Sequence, residues 1–118
     1  QTFEVALVEN IQRESLTPLE EANSFKIYVI DKGWGSIAEL SSKIEKSSSY
    51  ITKRIALLGL PSDVQEAIDN SSLKPSSAEE LLSIKDPERQ SQLGNMIVKR
   101  HFTTRNAREL VKDDAYYC

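Results

Sequence analysis

One cysteine, one histidine, one tryptophan, four glycines and four prolines stand among 118 residues, and each scarcity removes a class of protein. The lone cysteine, Cys118 at the end of the chain, allows no internal disulfide and no cysteine-rich zinc site, and reads as a tail thiol without a role. His101 has no companions at metal-ligand spacing, so no metal is assigned and a packed or surface position is expected of it. Apolar runs stop well short of the roughly 18–20 residues that cross a membrane, and no signal-peptide pattern opens the chain. A soluble, cytoplasmic protein is expected. The low glycine and proline content argues against short strands and turns. A solenoid is disfavoured because no repeat of roughly 20–50 residues recurs. No Ser-His-Asp, Cys-His or phosphate-loop pattern is present, so no catalytic residue is assigned.

What recurs instead is Leu, Ile, Ala, Glu, Lys and Ser, which favour helices. A chain of 118 residues can bury one real core but not two independent ones, so a single all-α domain is expected. It opens on Gln1 rather than Met and stops after "DDAYYC", which reads as a piece of a longer protein. The net charge of −3 is unevenly spread. Residues 1–22 carry −4, 23–35 carry +1, 36–60 carry +2, 61–84 carry −4, 85–112 carry +4 and 113–118 carry −2. That balance excludes a basic sheath over the whole surface but leaves two local positive blocks.

The segment "TFEVALVENIQRE" sets Phe3, Leu7 and Ile11 at helical spacing with Val8 beside them, one apolar helix face. In "TPLEEANSFKIYVI" Thr17 can cap, Pro18 suits the first helical position and Glu20 closes a capping box. This helix is expected to reach about Lys32 and to stop at Gly33. "SIAELSSKI" repeats the signal with Ser36 and Glu39, predicting a short helix over 37–44. From Ser48 the spacing of Ile51, Ile55 and Leu58 is helical again until "GLP" at 59–61. Further starts are read at Ser62 with Gln65, Ser76 with Glu79, Asp86 before Pro87, and Thr103, making about eight short helices. "NSSLKPSS", 70–77, reads as an ordinary connection.

The helix over 37–44, a turn of about three residues and the helix from Ser48 have the layout of a helix-turn-helix. Leu40, Ile44, Ile51 and Ile55 would form its apolar seam, with Ser41 as the small residue at the closest approach. Ser47 would cap the second helix, leaving Ser48, Ser49, Thr52 and Lys53 facing outward. Short hydroxyls let a helix come close to base edges. Lys46, Lys53 and Arg54 would meet phosphates, and Tyr50 either packs beneath the helix or donates to a phosphate. Glu45 occupies the turn position where glycine is favoured. A capped surface helix in a bundle that touches no DNA fits the same segment.

Three stretches taken in order, "ALVENIQRESLTPLEEA" (6–22), "SSSYITKRIALLGLP" (47–61) and "DVQEAIDNSSL" (63–73), resemble the ParB family of chromosome- and plasmid-partition proteins, whose relatives include KorB-like repressors. The resemblance runs from Glu4 to about Val111. It implies an all-α ParB/KorB-like DNA-binding domain that recognises a palindromic, centromere-like site in double-stranded DNA. It also implies a homodimer in the longer protein, a partition ATPase as partner, and a location on the nucleoid or a plasmid. Residues 1–16 would be a helix left from an upstream domain, 17–112 the helix-turn-helix domain, and 113–118 the start of a linker.

The family's "EN-x-QR" box is matched by Glu9, Asn10, Gln12 and Arg13. In members that use CTP these positions face the triphosphate and its magnesium, where carboxylate and amide oxygens suit a hard cation and arginine suits phosphate. Glu9, Asn10 and Arg13 are therefore candidate nucleotide ligands, with CTP and Mg as cofactors of a longer protein and none of this segment. A polar helix face kept for folding is the other reading. The accompanying "GERR" box would lie upstream, so no enzyme activity is assigned to the segment itself. At 76–79 the family's "GHAR" is replaced by "SSAE", which puts Glu79 where a basic residue would meet phosphate. Arg105 matches a family arginine and, with Lys99, Arg100 and Arg108, would flank DNA or form a solvated face. A KorB-like transcriptional or nucleoid-associated regulator is the alternative function, and part of a CTP-dependent switch is an alternative of another class.

Overall fold

Side-chain caps cut this chain into short helices. The computed structural model describes residues 2–13 and 15–117. The role read for Cys118 lies outside the described residues. Thr2 accepts a hydrogen bond from the Val5 N–H and starts α1 (Phe3–Ile11). Thr17 and Glu20 form the reciprocal capping box of α2 (Pro18–Lys26), with Pro18 in its first turn. Ser36 caps α3 (Ile37–Ile44) and Ser47 caps α4 (Ser48–Ala56). Asp86 caps α7 (Pro87–Lys99). Thr103 precedes α8 (Thr104–Tyr117), its hydroxyl accepting from the Asn106 N–H at 3.1 Å. With α5 (Ser62–Asp69) and α6 (Pro75–Glu80) there are eight α-helices and no strand among the described residues.

Two starts differ from expectation, and proline explains both. Pro61 itself takes the capping position of α5, so Ser62 is already helical and makes no cap. The Asp63 carboxylate accepts from the Val64 N–H at 2.9 Å instead, and the Gln65 amide donates to the Leu60 carbonyl. Pro75 occupies the first turn of α6, where a missing N–H costs nothing, and pushes the cap back to Lys74. Ser76 then falls inside the helix, its hydroxyl 2.9 Å from that of Thr104.

The helix expected to reach Lys32 does continue past Lys26, but as a wider π-helical turn over Ile27–Asp31. The Lys32 N–H bonds to the Ile27 carbonyl at 2.8 Å, and Gly33 ends the run at φ +59. This turn buries Tyr28 while leaving Ile30 59% exposed.

Two compact units, Gln1–Leu58 and Gly59–Cys118, replace the expected single core. The first packs Ile11, Phe25, Tyr28, Leu40, Ile44 and Ile51 together. Only the C-terminal end of the apolar face of α1 is covered, because Phe3 stays 86% exposed. The second unit buries Val64, Ile68, Leu73, Leu81, Leu93 and Ile97. There α5 and α7 approach so closely that a Cβ on Gly94 would lie 3.2 Å from Val64 Cγ2. Buried Gln90 donates to the carbonyls of Leu81 and Ile84, satisfying a chain turn that water does not reach.

Residues 113–117, read as the start of a linker, continue α8. The cause is Arg89 on α7, whose Nε and Nη2 each lie 2.6 Å from Asp114 Oδ1. That ion pair holds the last turns of α8 against the unit. No helix among the described residues is long and apolar enough to cross a membrane.

Candidate nucleic-acid interface

Between α3 and α4 the chain turns within three residues, Glu45 to Ser47. Glu45 ends α3 in the left-handed conformation, φ 57 and ψ 40, a conformation that L-residues other than glycine adopt at a cost. The turn has the shape that glycine would make easily, with a charged residue in it. Ser41 does more than stay small: its hydroxyl donates to the Lys46 carbonyl and ties the turn to α3. Ser47 then accepts from the Tyr50 N–H at 3.0 Å, fixing the first turn of α4. Leu40, Ile44 and Ile51 are buried and Ile55 is partly buried beside them, the expected seam.

That packing leaves Ser47, Ser48, Ser49, Thr52 and Lys53 exposed. The Thr52 hydroxyl donates to the Ser48 carbonyl at 2.9 Å, so its proton is spent within the helix. Lys46, also exposed, holds its ammonium 5.2 Å from the centre of the Tyr50 ring.

Tyr50 follows the first of its two readings and packs beneath the helix, whereas Arg54, set against phosphate by its position, turns inward with it. Both turn toward α2, where Glu21 Oε1 accepts from the Tyr50 hydroxyl at 2.6 Å and from Arg54 Nε at 3.0 Å. The Arg54 and Glu21 side chains are only 15% and 17% exposed. The guanidinium also stacks 4.8 Å from the Tyr50 ring centre, and that ring meets Phe25 edge-on. Burial raises the Tyr50 hydroxyl above its ordinary pKa, and the Glu21 carboxylate adds to the shift. A carboxylate, a phenol and a guanidinium thus pin α4 to α2. Glu21 is a positioning residue that local pattern does not reveal, since its partners lie 29 and 33 residues away.

In α1 and just after it, Glu9, Asn10 and Arg13 line one shallow concavity with Ala6. Arg13 Nη1 donates to Asn10 Oδ1 at 3.4 Å. Gln12, grouped with them by the motif, turns away to the Lys43 carbonyl. At the other end of α1, Glu4 Oε1 accepts from Lys43 Nζ at 2.7 Å and from the Tyr28 hydroxyl at 2.9 Å. The hydrogen bond from Lys43, then that from Tyr28, holds the Glu4 carboxyl below its ordinary value, and the same bond donated to Glu4 leads in raising Lys43.

In the second unit Arg105 is exposed, 3.9 Å from Glu109 one helical turn on. Lys99 and Arg100 are exposed at the end of α7. Arg108 is engaged by Glu80 at 3.0 Å, so two of the four cations of the basic block are drawn to carboxylates while all four stay exposed. His101 is exposed and left-handed, φ 53, in the turn that closes α7.

A family model described as the ParB HTH domain matches residues 14–115. The chain is similar to a probable chromosome-partitioning protein ParB of Treponema pallidum, 36% identical over 91% of this chain and 33% of that protein. It is also similar to a nucleoid occlusion protein of Listeria innocua, 33% identical over 92% of this chain and 38% of that one. The chain therefore spans between about a third and two fifths of the length of these relatives. Among solved structures it matches the C-terminally truncated chromosome-partitioning protein ParB of Caulobacter crescentus, complexed to the centromeric parS site. There the TM-score is 0.85 at 28% identity, covering 93% of this chain and 57% of that one.

Proposed function

Because the chain belongs to the ParB helix-turn-helix domain family, we propose that it binds an inverted repeat in double-stranded DNA by laying the first turns of α4 in the major groove. The observation that carries this reading is the exposed run Ser47, Ser48, Ser49, Thr52 and Lys53 on a helix braced from behind by Leu40, Ile44 and Ile51. Ser48 and Ser49 meet base edges, and Thr52 accepts from one. Lys46 and Lys53 meet phosphates, and Arg105 adds a further phosphate contact. Tyr50 and Arg54 act one layer back, through Glu21. In the longer protein this domain serves chromosome or plasmid partition as a homodimer, with a partition ATPase as partner. Titration of a fluorescent duplex carrying the host's inverted repeat, against a scrambled duplex over a range of salt, tests it. Tighter binding to the repeat is expected, and equal affinity for both duplexes would refute site-specific recognition.

The similarity to a nucleoid occlusion protein favours a second reading, a nucleoid-associated or KorB-like regulator using the same DNA contacts. Mapping bound sites in cells separates the two: partition predicts a cluster at one locus, regulation a scatter of promoters or dispersed sites.

A reading of another class makes α1 one wall of a CTP pocket. Glu9, Asn10 and Arg13 fit that wall, with a guanidinium for phosphate and carboxylate and amide oxygens for magnesium. Calorimetry with CTP and magnesium on the full-length protein tests it, and no heat of binding there removes the switch.

A further inference from the structure

The buried face of α8 runs Ala107, Val111 and then Asp114, one stripe at helical spacing. An apolar residue at the third position would fasten the end of the helix by burial alone. The Asp114 side chain is 8% exposed, and a carboxylate so placed is opposed twice. Burial disfavours its charge, and the free carbonyls at a helix C-terminus disfavour it again. Asp113 adds a second negative charge to the same turn, and no lysine or arginine follows Lys112 in α8.

What compensates Asp114 comes from α7. Arg89 Nε and Nη2 each lie 2.6 Å from Asp114 Oδ1, while Arg89 Nη1 donates to Gln92 Oε1 at 2.8 Å and keeps the guanidinium oriented. The Arg89 side chain is 40% exposed, so this clasp sits at the edge of the unit and can open without disturbing Ala107 and Val111 behind it. An apolar residue would have made the last turns of α8 unconditional. An ion pair makes them depend on one side chain of another helix.

The consequence is one of length. Held helical, residues 113–117 advance about 1.5 Å each, whereas a released chain reaches about 3.3 Å each. Over that stretch the difference is roughly 9 Å, or on the order of 18 Å for two protomers, which spans about five base pairs.

We propose that Arg89 is a positioning residue for the two-site DNA complex: its clasp on Asp114 keeps 113–117 helical, shortens the tether between the two DNA-binding domains of a homodimer, and so fixes the half-site spacing that the dimer accepts. This rests on the homodimer and inverted-repeat reading. The clasp needs no contact with base or phosphate. It acts through the effective concentration of the second domain, which is highest when the tether matches the span between half-sites.

Full-length protein decides it, as wild type, Arg89→Met, Arg89→Lys and the double variant Arg89→Met with Asp114→Asn. Each is titrated on a single half-site and on inverted repeats whose spacer is lengthened stepwise by up to about five base pairs. Hydrogen exchange at 113–117 reads whether the end of α8 has frayed. Wild type is expected to lose about tenfold in affinity over the spacer series, and Arg89→Met about threefold or less, with faster exchange at 113–117 and an unchanged affinity for the single half-site. Arg89→Lys, which keeps the cation, should follow wild type. The double variant removes the opposed charge together with its partner and should restore both the helix and the spacing preference, a rescue that lost packing of Arg89 would not give. If Arg89→Met frays α8 yet keeps the wild-type spacing profile, or if 113–117 stay protected without Arg89, the clasp does not set the tether and the proposal fails while the DNA reading stands. If wild type binds the repeat no more tightly than a single half-site, the homodimer reading fails and takes this one with it.

Discussion

Arg54 Nε lies 3.0 Å from Glu21 Oε1, an oxygen that also accepts the Tyr50 hydroxyl. A cation that the helix-turn-helix reading sets against phosphate instead ties α4 to α2. The pair is mostly desolvated, at 15% and 17% exposure, so removing Glu21 takes from Arg54 and Tyr50 a contact that water does not readily replace.

Glu21→Ala is expected to destabilise the protein by about 2 kcal/mol, below the roughly 3–5 seen when a fully buried pair loses one partner. Urea unfolding measures it. Because α4 would lose its anchor, affinity for specific DNA should fall as well, although Glu21 carries the wrong sign to touch phosphate. Unchanged stability would mean that the pair adds nothing to the packing of α4.

Changes on the exposed face of α4 should divide by chemistry. Ser49→Ala is expected to alter base preference and leave the salt dependence intact, whereas Lys53→Ala should weaken all duplexes alike and reduce the salt slope by about 1. Binding-site selection on a randomised duplex reads the first, and anisotropy over a salt series reads the second.

Glu45→Gly is expected to raise stability by about 0.5–1 kcal/mol, since relief of the left-handed backbone outweighs the added freedom of the unfolded chain. A shift of the urea midpoint to higher concentration shows it. Glu45→Val should do the reverse, because a β-branched residue fits that conformation worst.

Acid should loosen α1 first. Glu4 has its carboxyl held below the ordinary value of 4.5 by Lys43 and Tyr28. A depressed carboxyl stabilises the fold above its unfolded-state value and loses that contribution as pH falls through the folded one. Lys43 is raised above its ordinary 10.5, so its share is complete below that value and fades only as pH rises through the higher folded one. The stability gap between wild type and Glu4→Gln should therefore be flat from about pH 5 to pH 9 and close on acidification below about 4.5. Unfolding curves of the two proteins across pH test it, and a gap that persists in acid would show that the clasp is not electrostatic.

Caps and apolar spacing made most of the helices legible, because both are written within a few residues. Ser36, Ser47, Asp86 and Thr103 start helices where their hydroxyls and carboxylates say so. Ser62 and Ser76 show the limit: a neighbouring proline claims the helix start and the serine moves inside. The outward row on α4 followed from the positions of Ile51 and Ile55. Local pattern leaves Tyr50 between packing and phosphate, and the inward turn of Arg54 does not follow from it at all, because both depend on a carboxylate in another helix that no local period records. For the same reason α8 outran its expected end: Asp114 looks like linker until Arg89 is beside it.

The hydrogen bond from Thr52 to the Ser48 carbonyl makes the polarity of that side chain a fixed quantity. Ser48 and Ser49 can rotate a hydroxyl to donate or accept, but Thr52, with its proton committed, presents only a lone pair and a methyl group. On DNA such a group can greet the amino edge of adenine or cytosine, or the methyl of thymine, and has nothing to offer the paired acceptors of guanine. Laid in a major groove as proposed, α4 would combine two adaptable positions with one that discriminates by sign. Thr52→Val, which keeps the shape and deletes the lone pair, would show in a binding-site selection which base was being addressed.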